Sequence, residues 1–309
     1  MLEARERREN AKSAAMAFDL SIVGKPSDVS RFAYSWKDVV LYALGIGAKK
    51  DELDFLYEGA SFGNVSRKSE GEARPKVVPS FVVVPTFSVM LQYLGKTGGD
   101  LAMVVHGAQR FRVHKPLAPS GELLSTATIR GIYDMRKFAS VIVDTHTRDA
   151  LGELVAEGTW TIIYRNHGGF GGEPPPKEPS DITVPKDRAP DFRVEEKTTP
   201  EQALLYRLSG DPNPLHADPQ FAKSVGFEQG PILHGLCTYG FMVRHAAKGA
   251  CGGDATRLTG FEGRFSKPVW PGDTIVTEGW VTSPGKIALS VSVKERDETV
   301  ISAASATFT

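Results

Sequence analysis

The chain repeats itself on either side of a break, and that repetition limits the folds open to it. Residues 165–190 contain Gly168, Gly169, Gly171 and Gly172, then Pro174-Pro175-Pro176, Pro179, Pro185 and Pro190. Such a stretch reads as a linker. Before it, Ser35 stands where it can cap a helix through Val39-Val40-Leu41-Tyr42-Ala43-Leu44. After it, Thr199-Pro200-Glu201 starts a helix through Leu204-Leu205-Tyr206-Arg207-Leu208 that ends at Gly210. Both helices contain Leu-Tyr-x-Leu. A second apolar segment follows in each half, at 85–91 and 231–236, and then a Lys-Pro step, Lys115-Pro116 and Lys267-Pro268.

Each Lys-Pro step leads into three alternating segments. These lie near 122–131, 138–148 and 153–164 in the first half, and near 273–282, 286–296 and 299–308 in the second. Short turns near 134–137, 150–152 and 283–285 separate them. The expected fold is α+β: twice over, a helix followed by an antiparallel meander, with a curved sheet around a central helix. Residues 235–247 suit the central helix of the second half. Leu236, Cys237, Tyr239, Phe241, Met242 and Val243 leave it apolar nearly all round, so it is expected to be buried. The division expected is a tail over 1–17, a first repeat over 18–164, the linker over 165–190 and a second repeat over 191–309.

Length and charge agree with this. A chain of 309 residues can build two cores. Lys+Arg and Asp+Glu both number 37, which argues against a nucleic-acid or polybasic membrane surface. No run approaches the ~18 apolar residues of a membrane helix. Cys237 and Cys251 make no disulfide framework and point to a reducing compartment. Residues 1–16 are charged, with no apolar segment behind them, unlike a conventional secretory signal. The chain ends in Ser-Ala-Thr-Phe-Thr, which is not a peroxisomal tripeptide. A bacterial cytosolic protein, or a piece of a larger peroxisomal one, fits that ending.

Potential chemistry concentrates in Tyr206–His216, which reads Tyr-Arg-Leu-Ser-Gly-Asp-Pro-Asn-Pro-Leu-His. It sets a carboxylate, Asp211, and an imidazole, His216, on a turn stiffened by Pro212 and Pro214. Such a pair can hold and activate a water. The residues have plain readings too: Asp211 can cap a turn, Asn213 can close an Asx-turn, and His216 can be a satisfied core histidine. Asp211, His216, Asp218 and His234 can also be read as metal ligands, although no His-Glu-x-x-His or Cys pair supports a metal. Gly235, near the start of the buried helix, can offer a backbone N–H to a developing oxyanion and room for a carbonyl to approach. It can equally serve tight packing.

The stretch from Tyr206 to Gly235, with Ser-Gly-Asp-x-Asn-Pro-Leu-His followed by Pro-Ile-Leu-His-Gly-Leu, resembles the hydratase 2 motif of the MaoC-like, hot dog fold family. The resemblance covers about residue 18 to the end. It implies a double hot dog that reversibly hydrates trans-2-enoyl-CoA to (3R)-3-hydroxyacyl-CoA in fatty-acid β-oxidation. Asp211 and His216 would act on the water, Gly235 would supply the oxyanion amide and Asn213 would support the loop. His106, Gly107, Lys137, Pro212, Pro214, Leu215 and Phe265 would contact substrate. The family places a lysine near the 134–137 turn, where Met135 aligns best, with Arg136 and Lys137 beside it. The first half has no histidine before His106, hence no counterpart of His216. Such a hydration needs no redox cofactor, and no Rossmann glycine fingerprint precedes a nucleotide-binding helix, so no cofactor and no metal are expected, with the acyl-CoA thioester as the substrate. The family also implies a homodimer and a (3R)-hydroxyacyl-CoA dehydrogenase, fused or separate, as partner. A hot dog thioesterase, an acyl-carrier-protein dehydratase and a non-catalytic acyl-CoA-binding module are the alternatives.

Overall fold

Ten strands join in one antiparallel sheet in the computed structural model, which describes residues 18–59, 74–176 and 183–309. The tail expected over 1–17 and residues 177–182 of the expected linker lie outside the described residues. The first repeat contributes β1 (Ser30–Tyr34), β2 (Val104–Val113), β3 (Gly121–Met135), β4 (Phe138–Asp149) and β5 (Leu154–Arg165). The second contributes β6 (Phe192–Lys197), β7 (Leu258–Phe265), β8 (Thr274–Ser283), β9 (Lys286–Val293) and β10 (Glu298–Phe308). The order across the sheet is β1-β3-β4-β5-β2-β7-β10-β9-β8-β6, so the second repeat mirrors the first about the β2–β7 seam. There Ala108 pairs with Arg264, Phe111 with Phe261 and Arg112 with Gly260. At the middle, Arg110 Nε donates to Glu262 across 2.7 Å. These two residues are as far apart in the chain as Lys115 and Lys267, so the internal two-fold passes between them.

The three strands expected in each half are present within a few residues. β9 stops at Val293, short of the expected 296. Two strands per half escape sequence reading. β1 and β6 are short edge strands, and the seam strands are interrupted by glycine, β2 at Gly107 and β7 at Gly260 and Gly263, which weakens a strand pattern. Long-range pairing forms these strands where local pattern is weak.

The α-helices are α1 (Trp36–Gly45), α2 (Leu53–Leu56), α3 (Val83–Gly95), α4 (Gln202–Tyr206), α5 (Pro219–Ser224) and α6 (Gly235–Ala250). Ser35 and Asp38 close a capping box at the start of α1. Pro85 is tolerated in the first turn of α3, where its missing N–H would have no intrahelical partner. α3 and α6 are the central helices the sheet curls around, and Leu236 to Ala247 of α6 are buried without a break. This is the double hot dog, α+β architecture that the resemblance implied. Both cysteines are buried and unpaired.

A second set of contacts ties the repeats together behind the sheet. The carbonyls at the end of α1 face the second repeat. Gln202 Nε2 donates to Gly45 O at 2.7 Å, Cys237 Sγ to the same oxygen at 3.2 Å, and Arg244 Nη1 to Ile46 O at 2.8 Å. Arg244, only 1% exposed, also pairs with Glu52 at 2.5 Å and with Glu196 at 3.3 Å. Burial pushes Glu196 up, but the His245 hydrogen bond and the charges of Arg244, His245 and Lys49 outweigh it and bring the carboxyl to about 2. A carboxyl lowered in this way contributes stability above its ordinary 4.5 and loses it as pH falls towards 2. Removing Arg244 leaves Glu52 and Glu196 buried beside fewer cations. Arg244→Met should therefore cost about 3–5 kcal/mol of unfolding free energy at neutral pH. It should also move acid unfolding to higher pH, both read from urea denaturation at a series of pH values.

Candidate active site

The glycine after the α4 stretch sets the site up. Gly210 follows the 3₁₀ turn Arg207–Ser209 with φ +111°, a left-handed conformation costly for other residues. The chain then reverses. The Asn213 amide donates to Asp211 Oδ1 at 3.1 Å, and the Leu215 amide to Asn213 Oδ1 at 3.0 Å. Asn213 thereby caps a second 3₁₀ turn, Pro214–His216, that carries His216 inward. Pro212, Asn213 and Pro214 stay exposed, Leu215 is half-buried and His216 is buried. The side chain of Asn213 orders the loop.

His216 donates from Nδ1 to the Ile232 carbonyl at 2.9 Å. A carbonyl only accepts, so the neutral ring carries its hydrogen on Nδ1 and leaves Nε2 as a bare base. Burial lowers His216, opposed by the Asp211 charge and the Ile232 carbonyl. Burial raises Asp211, opposed by His216, the Asn213 amide and Arg207. Desolvation thus makes the carboxylate a stronger base and the imidazole a weaker one. No direct hydrogen bond joins the two side chains among the described contacts.

His234 completes the cluster. Asp211, His216 and His234 each bring one nitrogen or oxygen within 4.8 Å of the others. The two imidazoles stack, with centroids 3.7 Å apart and planes 28° from parallel. A zinc ion must lie in the plane of each ligating ring, about 2.0–2.1 Å from its nitrogen. Rings stacked face to face do not aim two lone pairs at one such point. Asp218, the fourth residue of the metal reading, is turned away, since its Oδ1 caps α5 by accepting the Gln220 and Phe221 amides. The three residues therefore do not make a fitting metal site.

Gly235 opens α6. The amides of Cys237 and Thr238 return to His234 O at 3.0 and 3.2 Å, while those of Gly235 and Leu236 meet no acceptor among the described residues. A Cβ on Gly235 would lie 3.4 Å from two atoms of the Phe265 ring. Phe265, at the end of β7, is 4.8 Å from the His106 ring, and His106 stacks on Trp160 at 5.2 Å. Burial pulls His106 down to about 4, against the Ala108 carbonyl and Gln109, so it is neutral at neutral pH. Gly107 lies in the bulge between His106 and Ala108, where β2 slips against β5. An aromatic row thus runs from the free amide of the second repeat into the first.

The structure brings Asp211 and His216 together with His234, the residue before Gly235, and sets Phe265 beside the glycine with His106 against Phe265. Lys137 sits in the exposed β3–β4 turn, and none of the described contacts joins it to these residues. Cavities of about 210 and 680 Å³ open along the seam from Arg110 and Glu262 at its middle to Val113 and Thr259 at one end, and hold none of the site residues. Sequence reading missed the stack of His234 on His216, the Ile232 carbonyl and Trp160. One signal was available: the first repeat reads Val82-Val83 where the second reads His234-Gly235.

Comparisons with known proteins identify the family. The family described as MaoC like domain matches residues 181–304. The MFE-2 hydratase 2 N-terminal domain matches residues 32–166. "Enoyl-CoA hydratase 2, peroxisomal" of Arabidopsis thaliana is 36% identical over 88% of this chain and 89% of its own. "3-hydroxyacyl-thioester dehydratase Y" of Mycobacterium tuberculosis is 37% identical over 91% and 94%. Among solved structures, a MaoC-like dehydratase from Phytophthora capsici superposes with a TM-score of 0.79 at 34% identity, covering 93% of this chain and 97% of that one. The chain belongs to the MaoC-like hydratase 2 family.

The charge on Asp211 raises His216. Asp211→Asn should therefore lower the His216 midpoint further, and an NMR titration of the imidazole reads this directly.

Proposed function

We propose, from that membership, that this chain hydrates trans-2-enoyl-CoA reversibly to (3R)-3-hydroxyacyl-CoA, and that Asp211, His216 and Gly235 carry the reaction. The observation that supports this most is the pairing of two bases not hydrogen-bonded to each other, Asp211 and His216 Nε2, beside a helix that begins with an amide lacking an acceptor. A water held between the pair gives up a proton as its oxygen attacks C3. The electrons move to the thioester oxygen, where the Gly235 amide meets the charge. A proton then returns to C2, so the elements of one water are added. Removing a donor of this type typically costs about 3 kcal/mol of transition-state stabilisation. The mechanism calls on no redox cofactor and no metal.

His106, Gly107, Phe265, Lys137, Pro212, Pro214 and Leu215 are the residues we assign to substrate contact, the first three along the aromatic row. The first repeat, taken as 18–164, would hold the acyl portion, and the second, 191–309, the chemistry. Asn213 supports by ordering the loop. A homodimer and a dehydrogenase acting on the 3-hydroxyl product would complete the setting. It would be peroxisomal in a eukaryote, as the name of the Arabidopsis relative indicates, and cytoplasmic in a bacterium.

Mixing the protein with crotonyl-CoA and a long-chain enoyl-CoA tests the reading. Loss of enoyl absorbance without thiol release is expected, with (3R) product. Thiol release without hydration would identify a thioesterase, and binding without turnover an acyl-CoA-binding module. Asp211→Asn and His216→Gln should each reduce kcat by about 10³-fold or more with folding retained. The pH profile follows from the shifts. Burial raises Asp211 and lowers His216 while each charge favours the other, so the acid limb of kcat/KM should report the two groups as one coupled titration, and Asp211→Asn should shift it.

A further inference from the structure

We propose that His234 is a positioning residue that holds the Asp211 loop and the His216 ring in register with the Gly235 amide. This deepens the hydratase reading above and rests on it. His234 reaches all three parts of the machinery. Its Nε2 donates to the Asp211 backbone carbonyl at 3.3 Å. Its ring covers His216 at 3.7 Å and is itself backed by Tyr206 at 4.9 Å. As the residue before α6, it is bonded covalently to Gly235.

Burial makes these contacts unusual. His234 is 1% exposed, and its Nδ1 has no hydrogen-bond partner. A core that needed only volume at this point would not retain an unpaired polar nitrogen. The molecule contains its own control. α3 starts at Val83 and α6 at Gly235, and each start precedes its Lys-Pro step by the same number of residues. His234 therefore corresponds to Val82, which is fully buried as well. The same helix entry is built with valine in the repeat that has no counterpart of His216. The histidine accompanies the Asp–His pair and is not required by the fold.

The ionisable groups around His234 are His216, Asp211, Arg207 and Tyr206. Burial and the His216 charge keep His234 well below its ordinary value, so it stays neutral while the pair exchanges protons. Its Nε2 then remains a donor to Asp211 O throughout, and its face remains a neutral cover for His216.

Three substitutions separate the two contacts. His234→Ala removes both, His234→Gln retains a donor without a ring, and His234→Phe retains a ring without a donor. With an enoyl-CoA that the wild type hydrates, His234→Ala should lower kcat about 100-fold while KM changes less than about 3-fold. His234→Gln and His234→Phe should each recover about 10-fold of that loss. Titration of His216 by NMR in the free protein needs no reaction. Its midpoint should rise in His234→Ala, because water relieves the burial that lowers it, and stay low in His234→Phe. A kcat within 2-fold of wild type in His234→Ala, full activity in His234→Phe, or no recovery in either larger variant would overturn the proposal. So would an unmoved His216 midpoint in a folded His234→Ala. If His234→Ala does not fold, the Gln and Phe variants carry the test, since each must fall below wild type. A wild type that hydrates no enoyl-CoA would refute the hydratase reading, while the titration would still decide the His234 contact.

Discussion

The antiparallel pairing of β2 with β7 is the interaction on which the rest depends. It closes an edge that each five-stranded sheet would otherwise leave open. It also sets the internal two-fold, with Arg110 facing Glu262 at its centre. His106 of β2 and Phe265 of β7 then meet at one end of the seam and build one aromatic row from two repeats. Without that register, the Phe265 ring beside the glycine that opens α6 would not meet His106 of the first half.

Behind the sheet, the second repeat satisfies groups that the first leaves bare. A helix ends with carbonyls that have no intrahelical donor. Those of α1 take theirs from Gln202, Cys237 and Arg244. Two of these donors lie on α6, the helix whose first residue is Gly235. The ion network of Arg244 with Glu52 and Glu196 lies along the same helix. The contacts that join the repeats therefore also fix the helix that presents the free amide.

Burial then shapes the chemistry. It raises Asp211 and lowers His216, against their mutual attraction. In water the two groups would be a weak base beside a partly protonated ring. Desolvated, they are a more basic carboxylate and a neutral imidazole whose tautomer is set by Ile232 O. The exposed prolines on the loop and the buried histidines beneath it divide the tasks of shape and reactivity.

Much of this was legible in the chain. Duplication, six of the ten strands, the buried central helix and the Asp211–His216 pair follow from local signals: alternation, turn residues, helix punctuation and motif spacing. The short edge strands β1 and β6 and the glycine-bearing seam strands β2 and β7 were not legible, because partners distant in sequence stabilise them. Nor was His234 legible beyond its listing among possible metal ligands. A sequence shows that two histidines exist, but not that their rings stack face to face, and stacking is what removes the metal reading. The sequence by itself determined which residues could do chemistry and that only one repeat carries the pair. The tertiary structure alone decided which side chains share a desolvated space, which nitrogen of His216 is free and which amide lacks an acceptor. Those properties belong to surroundings assembled from segments separated in the chain, such as Asp211 with His234 and His216 with Ile232, and residue order does not encode them locally.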